Sequence, residues 1–136
     1  MSDKKIVRVR DCMNTEFDVV DGMETVRAAL SRLRNPENKC AIVNKAHADD
    51  EFGMLTLADV GREVLAKDRS PDRVNVYEVM KKPVISVHPD MDVRYCARLF
   101  EQYRLPRAAV VENGLVIGVI AFTHLVMRGM IRDGAL

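Results

Sequence analysis

"FGMLTLADV" (52–60) and "IGVIAFTHL" (117–125) are two versions of one phrase. Each runs as a bulky apolar residue, a glycine, three or four mostly apolar residues, and then a short polar stretch that opens a helix. The polar positions differ. Thr56 and Asp59 in the first version stand where the second has Ala121 and His124. A framework written twice, with polar chemistry in one copy only, separates what a fold requires from what a site requires.

Working outward, the whole chain repeats. "VRDCM" (9–13) coincides with "VYEVM" (76–80) at a shift of 67, and at the same shift Val20 falls on Val87, Leu33 on Phe100 and Val43 on Val110. The shift is 65 where Gly53 meets Gly118, so the first copy carries two extra residues in its "NKAHADDEF" loop. Polar turns accept such insertions. In each copy a short strand, "FDVV" (17–20) or "VISV" (84–87), precedes an apolar helical face at i, i+3, i+4, i+7: Val26, Ala29, Leu30, Leu33, or Val93, Cys96, Ala97, Phe100. Buried strands "CAIV" (40–43) and "AAVV" (108–111) follow. Then come "GMLT" (53–56) and "GVIA" (118–121), and second helices near 57–66 and 122–132. The unit is β-α-β-β-α. The repeats span 9–66 and 76–132, joined by a polar linker at 67–75 and flanked by tails at 1–8 and 133–136. A unit this short cannot cover both faces of its sheet. The expected fold is therefore α+β, with two repeats packed through their sheets under pseudo-twofold symmetry.

Composition narrows the function classes. The 136 residues are 48% hydrophobic and 30% charged, with a net charge of +1, which gives no bulk attraction to nucleic acid or an anionic membrane. The longest apolar run, "GLVIGVIAF" (114–122), is far shorter than the ~20 residues a spanning helix needs. The charged start "MSDKKIVRVR" lacks the apolar core of a secretory signal. Cys12, Cys40 and Cys96 are widely separated, which suggests reduced thiols in a cytoplasmic chain.

The "V-x-x-x-M" lead segment, the "V-R-x-A" helix start, the aliphatic strand "AIV" and the exit "G-M-L-T-L-A-D-V" together resemble the cystathionine β-synthase (CBS) domain family in its tandem, or Bateman, form. The resemblance covers roughly residues 8–132. It implies a regulatory module that binds an adenine nucleotide (AMP, ADP or ATP) or S-adenosylmethionine in a cleft between repeats. In that pattern Thr56 and Asp59 hold the ribose hydroxyls, and a carboxylate suits vicinal hydroxyls because hydrogen bonds to a charged group are worth about 1.5–3 kcal/mol. Lys82, Pro83, Val84 and Ile85 would lie against the adenine, with Ala41 and Ile42 as the other wall. Arg107, with Arg104 near it in sequence, would meet the phosphates. The mirror-related position would draw on Ala121, His124, Lys39, Cys40, Phe17 and Asp18, and is expected to be degenerate. The family also implies a homodimer through the second helices and an effector protein acting in trans.

Other readings of the same residues stay open. Thr56-x-x-Asp59 also fits a helix N-cap box, and Arg107 also fits a solvated strand end. His47 and His88 read as turn residues. The histidines and cysteines lack ligand spacing for zinc. With no G-x-S-x-G and no phosphate-binding glycine loop, nothing points to an enzyme. The alternatives to a nucleotide sensor are an S-adenosylmethionine sensor, a ligand-free interaction scaffold, and a nucleic-acid binder using "KKIVRVR" and "MKKPV", which the balanced charge opposes.

Overall fold

The computed structural model describes residues 5–136 as two compact units. One is Glu16–Val84. The other joins the segment ending at Thr15 to Ile85–Leu136.

In the Glu16–Val84 unit, β1 (Val19–Val20) pairs parallel with β2 (Cys40–Val43), which pairs antiparallel with β3 (Gly53–Thr56). All four residues of β2 are buried, as expected of a central strand. Helix α2 (Val26–Ser31) begins where Thr25 Oγ1 accepts from the Ala28 amide at 3.1 Å. It turns Val26 and Ala29 onto a core of Val20, Ala41, Val43, Leu55, Val64, Val74, Val76 and Val79. Helix α3 (Leu57–Val60) follows β3 without a loop and continues through a wider turn, Gly61–Leu65, marked by an Ala66 amide bonded back to the Gly61 carbonyl at 2.8 Å.

The second unit repeats the plan. Strand β4 (Ser86–Val87) is parallel to β5 (Arg107–Glu112), and β5 is antiparallel to β6 (Leu115–Ala121). Asn113 and Gly114 join the last two, both at positive φ (54° and 76°), which is the Asn-Gly chemistry a tight hairpin requires. Helix α4 (Val93–Tyr103) is capped by Asp92, whose Oδ1 accepts from the Arg94 amide at 2.9 Å. Helix α5 (Phe122–His124) runs on through Leu125–Arg132 with the same widened bonding. Phe100 is fully buried at the centre of this core and meets Phe122 edge to face at 5.8 Å. Cys12 and Cys96 lie in the same core as free thiols, and burial pushes Cys96 up to about 12, so it is a packing group rather than a nucleophile.

The sequence reading placed the two helices and central strands of each repeat where they form, but not the short helical turns Val9–Cys12, Pro36–Asn38 and Val76–Glu78. Strands expected over 17–20 and 84–87 form as strands only at Val19–Val20 and Ser86–Val87, although the carbonyls just before them, of Asp18 and Ile85, still accept from the Ile42 and Ala109 amides at 2.9 and 3.0 Å.

The compact units do not coincide with the sequence repeats. Each takes the lead segment of the other repeat. Helix α1 (Val9–Cys12) and Asn14 pack with residues 85–136, where Asn14 and Val119 exchange two backbone bonds of 2.8 and 2.9 Å. The matching segment Val76–Glu78 and Lys81 packs with residues 16–75, where Lys81 and Met54 exchange two bonds of 2.9 Å. These crossings explain the glycine of each phrase. A Cβ on Gly118 would stand 2.7 Å from the Asn14 carbonyl oxygen, and one on Gly53 would stand 3.2 Å from that of Lys81.

Candidate functional site

Of the expected ligand residues, Ala41, Ile42, Thr56, Asp59, Lys82, Pro83 and Val84 belong to the Glu16–Val84 unit, and Ile85, Arg104 and Arg107 belong to the other.

In the first unit β3 delivers Thr56 to the start of α3. Its Oγ1 accepts from the Asp59 amide at 3.0 Å, so Thr56 is the N-cap. The box is not closed, because the Asp59 carboxylate does not reach back to the Thr56 amide. Instead its Oδ1 accepts from Arg62 Nη2 at 2.6 Å and lies 3.9 Å from Lys81 Nζ. Both cations address Oδ1, and no described residue is hydrogen-bonded to Oδ2. The side chain is only 8% exposed. Among the described residues, Asp59 and Asn38 are the buried polar side chains, and Asn38 is accounted for by a 2.9 Å bond to the Glu16 carbonyl. Oδ2 is not a buried orphan, so it opens to solvent while the rest of the side chain is buried.

Around it, Pro83 is exposed and Val84 half-buried, its amide bonded to the Phe52 carbonyl at 2.8 Å. The Lys82 ammonium is held by Asp50 at 2.6 Å. That carboxylate also accepts from the Ala46 amide at 2.8 Å, and Lys82 keeps its pKa well below the usual range. The two-residue insertion of the first repeat thus pins Lys82. Ala41 and Ile42 are both buried. Strand alternation puts Ala41 in the α2 core and Ile42 on the opposite sheet face, so Ala41 offers no side-chain wall to a ligand.

In the other unit, Ile85 is exposed, and its carbonyl accepts from the Ala109 amide at 3.0 Å. Arg104 terminates α4 in the left-handed region (φ 52°), with the Leu105 amide closing back on the Phe100 carbonyl at 2.9 Å. Arg107 opens β5 opposite Ala121. Its Nε is the one buried side-chain nitrogen or oxygen, among the described residues, without a hydrogen-bond partner.

The second phrase caps its helix in reverse. Ala121 has no side-chain acceptor, and His124 Nδ1 instead accepts from the Ala121 amide at 3.2 Å. Burial first, then Arg128 and Arg107, lowers the His124 pKa. The unfolded chain takes up this proton first as pH falls, so the stability due to neutral His124 is complete above its unfolded value of about 6.5 and is lost below it. The melting temperature is expected to fall between about pH 7 and 5.5, and His124→Gln to flatten that part of the profile in thermal denaturation. Of the other mirror residues, Asp18 accepts from the Arg34 and Asn35 amides at 2.9 and 2.8 Å, closing the end of the α2 segment. Lys39 has φ 60° just before β2, and Cys40 and Phe17 are buried and half-buried respectively.

Sequence reasoning missed two partners of Asp59. Arg62 was available from the i, i+3 spacing on one helix face. Lys81 arrives by the backbone bridge to Met54, a long-range contact with no local signature. Spacing also failed to show that His88, Asp90 and Glu112 bring ligand atoms within 4.8 Å of one another. Arg10 occupies both carboxylates there, at 3.2 and 2.7 Å.

The duplicated three-stranded units, with their exchanged lead segments and a polar helix start in one copy, define a paired α+β module. The CBS domain family profile matches residues 76–130. The hexameric CBS-CP12 protein from bloom-forming cyanobacteria is 28% identical with a TM-score of 0.87, covering 94% of this chain and 74% of that one. The CBS domain protein TA0289 of Thermoplasma acidophilum is 30% identical with a TM-score of 0.76, covering 95% and 74%. Among curated proteins, CBS domain-containing protein YhcV of Bacillus subtilis is 24% identical over 93% of this chain and 89% of its own. An uncharacterized protein of Methanopyrus kandleri is 29% identical over 79% of this chain, which spans 56% of that relative's length. The chain belongs to the CBS domain family, and its two repeats form a CBS pair. No helix among the described residues is long and apolar enough to cross a membrane.

Proposed function

We propose that this CBS pair is a regulatory module that senses an adenine nucleotide and signals to another protein in trans. Asp59 carries the reading. A buried carboxylate with Oδ2 unengaged is an acceptor for a ribose hydroxyl, while Thr56, whose oxygen already caps α3, keeps its own O–H to donate. Pro83 and Val84, in the same unit, are the apolar surface for the base. Within the other unit, taken by itself, Arg107 with its orphan Nε remains a proposed contact for an anion, as do Arg104 and Ile85 for a ligand. Such a ligand acts as a signal only through different affinities for two conformations. Calorimetric titration of adenosine, AMP, ATP and S-adenosylmethionine into the ligand-free protein tests the reading. Saturable binding of AMP or ATP near one per chain is expected, and heat from none of the four would leave the scaffold reading in its place.

Self-association is part of the proposal. Helix α5 turns Leu125 and Gly129 inward and leaves Val126, Met127, Met130 and Ile131 as an exposed apolar stripe. The cyanobacterial relative is hexameric, which favours an oligomer here. Ile131→Glu, at an exposed position, is expected to shift a dimer to monomer in sedimentation equilibrium without lowering the melting temperature. An unchanged dimer would place the interface elsewhere.

A further inference from the structure

The charge around Asp59 bears on which adenosyl ligand the module takes. Arg62 and Lys81 both address Oδ1, so one carboxylate faces two cations, while the neighbouring Lys82 is already neutralised by Asp50. The carboxylate is buried, but Arg62 and Lys81 are 65% and 72% exposed. The Arg62 head is hydrogen-bonded at Asp59 and the Lys81 head lies 3.9 Å from the same oxygen, while most of each side chain stands in solvent.

Two consequences follow from this arrangement. The cluster carries one positive charge in excess. Its cations are also underused. The guanidinium has five N–H donors, and the ammonium has three, at a distance from Oδ1 too long for a hydrogen bond. A neutral nucleoside on Oδ2 would leave the excess charge uncompensated, and a sulfonium ligand would add to it. A ligand bearing a phosphate beside the ribose would balance it, and a guanidinium fork fits phosphate oxygens better than an ammonium does.

We infer that Arg62 and Lys81 are the charge-selective part of the site, taking the phosphate of a nucleotide whose ribose is held by Asp59, and so setting the order nucleotide over adenosine over S-adenosylmethionine. This rests on the adenine-nucleotide reading above and adds two residues and a ligand charge to it. Neither arginine proposed in the other unit is needed for the inference.

The test is calorimetric titration of adenosine, AMP and S-adenosylmethionine, at two salt concentrations, into wild type, Arg62→Gln, Arg62→Lys and Lys81→Gln. Each variant is first shown to melt as a folded protein. Arg62→Gln is expected to weaken AMP about 10-fold or more and adenosine less than about 3-fold, and to flatten the salt dependence of AMP binding. Arg62→Lys should recover part of the loss, and Lys81→Gln should show the same selectivity with a smaller effect. Equal losses for AMP and adenosine would reduce Arg62 to a positioning partner of Asp59 and overturn the inference alone. So would a gain for both, which would make it a competitor for the carboxylate. Wild type that binds none of the ligands overturns the adenine-nucleotide reading, and the inference with it.

Discussion

Asp59→Ala is expected to weaken AMP or ATP binding by about 10- to 150-fold, the equivalent of about 1.5–3 kcal/mol for a lost charge-assisted hydrogen bond. The loss should appear for adenosine as well, because the ribose is common to both ligands. This distinguishes Asp59 from Arg62, whose effect follows the phosphate. Thr56→Ala should do less to binding but should cost stability, since it removes the N-cap of α3, a change worth typically ~1 kcal/mol. Asp59→Asn separates charge from shape: the amide keeps one acceptor but no longer pairs with Arg62 and Lys81. If Asp59→Ala binds nucleotide as wild type does, Asp59 is only a buried member of a helix-start ion pair.

Gly118→Ala is expected to lower stability by about 1–3 kcal/mol in chemical denaturation, the usual range for overpacking. The new Cβ would meet the Asn14 carbonyl at 2.7 Å and the Met13 sulfur at 2.9 Å, and that carbonyl is fixed because it accepts from the Val119 amide while the Asn14 amide donates back to the Val119 carbonyl. Gly53→Ala should cost less, because its nearest neighbours stand at 3.2 Å and one of them is the flexible Met80 side chain. Gly61→Ala is the control. It lies at helical φ (−58°) with nothing within 4 Å of the added carbon, and is expected to stabilise by about 0.4–1 kcal/mol. The order Gly118, Gly53, Gly61 therefore reports the crossing of the lead segments, not a general intolerance of substitution.

The same crossings show what was legible in the sequence. The glycines recur because each marks a place where a lead segment bonds to the last strand of a sheet. The repeat was visible in full, but its exchange was not. Nothing local in "VRDCM" or "VYEVM" says which copy's sheet it will join, since that depends on pairings distant in sequence, Asn14 with Val119 and Lys81 with Met54. Helices α2 and α4 were readable because each presents one apolar face at helical spacing, while their caps, Thr25 and Asp92, emerged only from the structure. The flanking strands shortened because pairing, not propensity, sets where a strand begins. At the site, Thr56 and Asp59 stood out by contrast with Ala121 and His124, and the structure gives that contrast a physical form. The first copy caps its helix with the hydroxyl and leaves the carboxylate oxygen open, whereas the second uses the only polar side chain of the pair for the cap itself. Ala41 illustrates the opposite limit. Its strand was evident, but which way its side chain faces follows from register, which fixes it in the core.

The most direct measurement is an amide-resolved NMR titration of the isotopically labelled protein with AMP. Saturable shifts are expected at Thr56, Asp59 and Arg62 and along Lys81–Val84, residues far apart in sequence that share one compact unit. Shifts centred instead on Ala121–His124, or none at millimolar AMP, would contradict the assignment of the nucleotide to the copy that kept its polar chemistry.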